Sequence, residues 1–70
     1  MNTKALKARM VANGDTQAQL AEAIGISALN LNDKLNGKVS FRQSDIAAIK
    51  ERYHLSADDV DRIFFGPELS

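Results

Sequence analysis

The sequence predicts a single all-α domain of five short helices. Apolar residues recur three and four positions apart, as in Leu6/Met10, Leu20/Ile24, Leu31/Leu35 and Ile46/Ile49/Tyr53, the period of a helix with one face turned inward. Capping residues stand before several of these runs, and glycine or Asn-Gly follows three of them. Seventy residues are about half of a typical domain, which allows one core and no second module.

Thr3 is expected to cap a first helix running roughly from 4 to 13, with Leu6 and Met10 on its inner stripe and Asn13-Gly14 as a left-handed stop. Thr16 opens a capping box with Gln19, and Leu20, Ala21 and Ile24 form the apolar face of a short second helix that ends at Gly25. Ser27 caps a third helix carrying Leu31 and Leu35. Ile26 and Leu31 stand at the spacing of a hydrophobic staple, and Asn36-Gly37 closes the run. Lys38 to Phe41 has no helical period and reads as a loop pinned by Phe41. A fourth helix follows, with Ser44 and Asp45 near its start and either Ser40 or Arg42 as cap. His54-Leu55 breaks the pattern. Ser56-Ala57-Asp58-Asp59 then caps a fifth helix containing Val60, Ile63 and Phe64, which stops before Gly66-Pro67. Residues 66–70 read as a short mobile tail on a domain that otherwise spans the chain.

With 44% hydrophobic and 26% charged residues the chain has the composition of an ordinary globule, neither disordered nor membrane-embedded. It has no cysteine, so neither a disulfide nor a thiolate metal site is expected, and the cytoplasm is the expected location. The start, Met1 to Asn13, has basic residues in helical spacing and no long apolar run after them, unlike a signal peptide or a membrane span. The net charge is zero, but it is unevenly spread. Residues 1–44 hold six basic and three acidic residues, a net +3; residues 45–70 hold three and six, a net −3. A polarised chain of this kind can turn its positive half to phosphate.

The segment from Gln17 to Gly37 has the most specific local grammar. Ala21 is small where two helices must approach closely, and Gly25 can take the positive φ of a tight turn. Leu20, Ile24, Ile26, Leu31 and Leu35 would clamp the two helices against the body, leaving the outer face of the third helix and the N-terminus of the second protruding together. A protruding helix of that size fits a DNA major groove, and free amides at a helix N-terminus suit a phosphate.

On Gln17, Leu20-Ala21, Ile24-Gly25-Ile26-Ser27, Leu31 and Lys34-Leu35-Asn36-Gly37-Lys38 the chain resembles the Cro/phage-repressor (XRE-type) helix-turn-helix family over roughly residues 4–64. With Phe41, Ser44-Asp45-Ile46 and Ile63-Phe64-Phe65 it is similar to small Cro-like repressors of Gram-positive phages and prophages. The resemblance implies a compact lambda-repressor-like fold with its helix-turn-helix at 17–36. It also implies a homodimer that binds double-stranded operator DNA as a transcriptional repressor. Ala28, Leu29, Asn32 and Asp33 would then face base edges, and Gln17, Asn36, Lys38 and Arg42 would contact phosphate. Many relatives carry Arg, Gln or Ser at the reading positions. Here Asn32 can pair with adenine, Asp33 can accept from cytosine, and Ala28 or Leu29 can pack on a thymine methyl.

Each assignment has a plainer competitor. Leu29 is either a methyl contact or an ordinary exposed side chain, and Lys34, Lys38 and Arg42 are either phosphate contacts or solvated charges. Phe64 and Phe65, about 100° apart on a helix, cannot both enter one small core, so one is left for a dimer contact or for wrapping the chain end. The neutral charge and the acid at a reading position favour an alternative, an antitoxin-like or adaptor module that binds protein. No enzyme, cofactor, metal or small-molecule substrate is expected: the single His54 has no carboxylate at motif spacing, and there is no glycine-rich phosphate loop.

Overall fold

The computed structural model describes residues 1–66, and it is all helical there. The elements are α1 (Thr3–Ala12), α2 (Gln17–Ile24), α3 (Ala28–Leu35), α4 (Gln43–Arg52) and α5 (Ala57–Val60), which runs on into a π-helical turn, Asp61–Phe65. One side chain from each of five segments, Leu6, Leu20, Leu31, Ile49 and Ile63, is almost fully removed from water. These five share one core cluster. The radius of gyration, 10.9 Å, is that of a folded chain of this length, for which about 11 Å is expected. No helix of the described residues is long and apolar enough to cross a membrane.

The helix starts follow local chemistry. Thr16 and Gln19 form the expected reciprocal cap at 3.1 and 2.9 Å, and Ser56 with Asp59 repeats it at 3.1 Å both ways. Ser27 accepts from the Asn30 N–H at 3.0 Å. Two starts differ from expectation. Helix α1 is capped by Asn2, whose side-chain oxygen accepts from the Ala5 N–H at 3.1 Å, so the helix begins at Thr3 and ends at Ala12. Thr3 is thereby freed for a tertiary bond, its hydroxyl donating to the Leu35 carbonyl at 3.2 Å. At α4 the cap position is Arg42, which has no acceptor to offer. The reverse half of the cap serves instead, the Asp45 carboxylate accepting from the Arg42 N–H at 3.0 Å.

The α2–α3 turn is closed at Gly25. Its φ of 80° is a conformation that a side chain adopts only at a cost, and it lets the Ile26 N–H reach back to the Ala21 carbonyl at 3.0 Å. Ile26 then lies on the core beside Ile24, and the chain turns at once into α3. His54 closes α4 in the same way, with φ 53° and a bond from the Leu55 N–H to the Lys50 carbonyl at 2.9 Å. This accounts for the break in pattern there.

The start of the chain meets the π-helical turn. The Asn2 N–H donates to the Ile63 carbonyl at 2.7 Å and the Met1 ammonium to the Gly66 carbonyl at 3.2 Å. Of the tail expected at 66–70, residues 67–70 lie outside the described part. Phe64 is buried, edge-on to Phe41 at a centroid distance of 5.4 Å, whereas Phe65 is 63% exposed. The two neighbouring rings therefore diverge as their helical spacing requires.

A polar clasp ties the α1–α2 turn to the end of α4. Asp15 accepts from Arg52 Nε and Nη2 and from the Tyr53 hydroxyl, each at 2.7 Å. The hydrogen bond from Arg52 and then that from Tyr53 hold the Asp15 carboxyl down at about 2. A depressed carboxylate contributes stability that is fully present above its unfolded value and is lost as pH falls through the folded one. Thermal melts should therefore show the clasp failing between pH 3.8 and about 2. The Asp15→Asn variant should melt lower at neutral pH yet lose less than the parent over that window. An equal acid loss in both would show that the clasp does not contribute.

Candidate nucleic-acid interface

Helix α3 has two unlike faces. Leu31, Lys34 and Leu35 are buried, whereas Ala28, Leu29 and Asn32 are exposed. This is the i, i+3, i+4 division of an amphipathic helix with its inner stripe against a core. Leu29 is 71% exposed. Asp33 is half-buried at the edge of the outward face, and its backbone carbonyl accepts from the Lys38 and Val39 N–H groups at 2.9 and 3.4 Å. Of the four residues expected at base edges, three thus project fully and one lies at the margin.

The remaining candidates fall in two places. Asn36, Lys38 and Arg42 are exposed along the segment joining α3 to α4, which turns back at Gly37 with φ 78°. Gln17 is half-buried at the first position of α2. Thr16 occupies the Gln19 and Leu20 N–H groups. The first amides of α2 remain without a capping partner among the described residues, and they carry the positive end of the helix dipole.

Lys34 corrects the sequence reading. It is neither a phosphate contact nor a solvated charge but is 2% exposed. Its ammonium donates to Asp45 Oδ2 at 2.8 Å and to the Ser40 carbonyl at 3.0 Å, and lies 5.8 Å from the centre of the Phe41 ring. Asp45 is also 2% exposed. Burial opposes its ionisation, but the bonds from Lys34 and from the Arg42 N–H outweigh that and hold its carboxyl below the usual carboxylate range. The helical phase carried the signal, since position 34 lies three residues after Leu31 and beside Leu35, on the inner stripe. Its partner, eleven residues on, has no local signature.

The pairing also redistributes the charge. Lys34 and Asp45 cancel each other inside the domain, and Asp15, Arg9, Asp59 and Arg52 are engaged in ion pairs elsewhere. Lys38 and Arg42 are the exposed cations of the α3–α4 segment, with the guanidinium of Arg42 3.8 Å from Asp45. Beside them is an open apolar cleft lined by Met1, Val39, Phe41, Ile46 and Phe65.

The family described as "Protein of unknown function (DUF739)" matches residues 2–67, and the chain belongs to it. Neither the curated proteins nor the solved structures contain a significant match.

Proposed function

We propose that this member of the DUF739 family is a DNA-binding transcriptional regulator of phage-repressor type, acting as a homodimer and catalysing no reaction. The observation that carries the reading is the outward ridge of α3. Ala28, Leu29 and Asn32 project into solvent from a helix whose other face is anchored by Leu31, Lys34 and Leu35. A helix held in that way can enter a major groove with Asn32 toward adenine and Leu29 or Ala28 toward a thymine methyl. Lys38 and Arg42, with Asn36, follow directly after it, where phosphate contacts fix register without reading sequence. In a dimer two such helices would lie about 34 Å apart, one turn of DNA. Exposed Phe65 and the cleft beside it support a self-association surface, since solvent-facing apolar groups rimmed by polar ones mark contacts.

Exposed Leu29 and zero net charge favour a second reading, a protein-association module. Titration of labelled duplex at low salt separates the two. The DNA-binding reading expects measurable affinity that Asn32→Ala weakens by roughly tenfold, the scale of one lost base contact at about 1–3 kcal/mol. An absence of affinity even at about 50 mM salt, where phosphate contacts are strong, leaves the association module.

A further inference from the structure

We propose that Lys34 and Asp45 are positioning residues whose role is to fix the α3–α4 segment against α3, so that the base-facing ridge and the cations after it form one rigid surface. The functional half of this inference rests on the DNA-binding reading above; its structural half does not.

The Lys38 and Val39 N–H groups are anchored on the Asp33 carbonyl, but beyond them the described polar anchors of the segment come from the ion pair. Lys34 Nζ donates to the Ser40 carbonyl, and Asp45 accepts from the Arg42 N–H. The ammonium and the carboxylate then meet at 2.8 Å. Two side chains thus gather both ends of Ser40–Arg42 onto α3 and α4, while Phe41 between them packs on Phe64. No buried side-chain nitrogen or oxygen among the described residues lacks a partner, so the network is complete.

An ion pair this deep is a poor device for stability alone. Removing two charges from water offsets most of their attraction, and a well-packed apolar pair of similar volume is often as stable or more so. An apolar pair cannot, however, hold the Ser40 carbonyl or the Arg42 amide. Directionality is what the charges add, and it acts on Ser40–Arg42, the stretch that directly follows Lys38 and Val39 and carries Arg42.

The test is the double substitution Lys34→Met with Asp45→Leu, because either change alone strands a buried charge and risks unfolding. Amide hydrogen exchange read by NMR is compared with duplex affinity. The reporters are the Lys38 and Val39 amides, whose acceptor is the Asp33 carbonyl and is untouched by the swap. The double variant should melt cooperatively near the parent, with these two amides exchanging at least about tenfold faster while those of α1 and α2 keep their protection. Duplex binding should weaken by about tenfold, a loss comparable to that of one good contact. Unchanged exchange at Lys38 and Val39 overturns the clamp. A loosened segment with unchanged duplex affinity overturns its functional half. If the parent itself binds no DNA the repressor reading fails, and the exchange data still decide whether the pair holds the segment.

Discussion

Leu31→Ala should lower the stability of the domain by about 2–5 kcal/mol, the cost of a cavity at a fully enclosed leucine. In a domain of this size that moves Tm by roughly 10–30 °C. Leu31 is fully buried, and the side chains around it come from separate helices, so the cavity has little room to collapse. Leu29→Ala, two residues away on the same helix, should change stability by no more than about 0.5 kcal/mol, as substitutions of exposed side chains do. On the repressor reading its effect belongs to binding. If Leu29 packs on a thymine methyl, its truncation weakens the preferred duplex and leaves generic duplex affinity almost unchanged. Thermal melts and duplex titrations of both variants check this contrast. Similar stability losses in the two would contradict the division of α3 into an anchored and a free face.

The second large effect is on ionic strength. On the repressor reading Lys38 and Arg42 would supply two cations per protomer, hence about four phosphate contacts in a dimer, and log affinity should fall with log salt at a slope of about −3.6. Raising salt from 50 to 200 mM would then cost on the order of 100-fold in affinity. Lys38→Ala removes two of the four contacts and should bring the slope to roughly half its parental value. Asn36→Ala removes no charge and should leave the slope unchanged. Titrations at four or five salt concentrations measure it. A Lys38→Ala slope equal to that of the parent would remove this residue from the phosphate contacts.

Much of the architecture was legible because it is written in local chemistry. Thr16-x-x-Gln19 and Ser56-x-x-Asp59 are capping boxes set by residues three apart, and Gly25 stands where the chain must take a left-handed turn. The exposed and buried faces of α3 follow from its period. What escaped depends on contacts distant in sequence. Asn2 rather than Thr3 caps α1, a choice between two adjacent good caps that is coupled to the bond from Thr3 to the Leu35 carbonyl, 32 residues away. The π-helical turn at Asp61–Phe65 has no compositional signature; it lies where the Ile63 carbonyl meets the Asn2 N–H.

The same distinction separates the parts of the candidate site. Ala28, Leu29 and Asn32 follow from helical phase, and Lys38 and Arg42 from their place in a polar loop. Helical phase places Lys34 on the inner stripe, but the partner that allows its charge to be buried there, Asp45, has an acidic character that the start of α4 alone explains. Asp45 serves both needs at once, accepting from the Arg42 N–H as a helix-start residue and from Lys34 as its ion partner. Local rules identify the first role and say nothing of the second.

The most direct test of the central claim, that the free ridge of α3 reads DNA as one half of a symmetric pair, is selection of bound duplexes from a random pool. An enriched palindrome with half-sites about 10 base pairs apart, centre to centre, is expected, with an Asn32→Ala variant that relaxes choice at one position in each half. A pool that emerges unenriched, or enriched identically for both proteins, would contradict it.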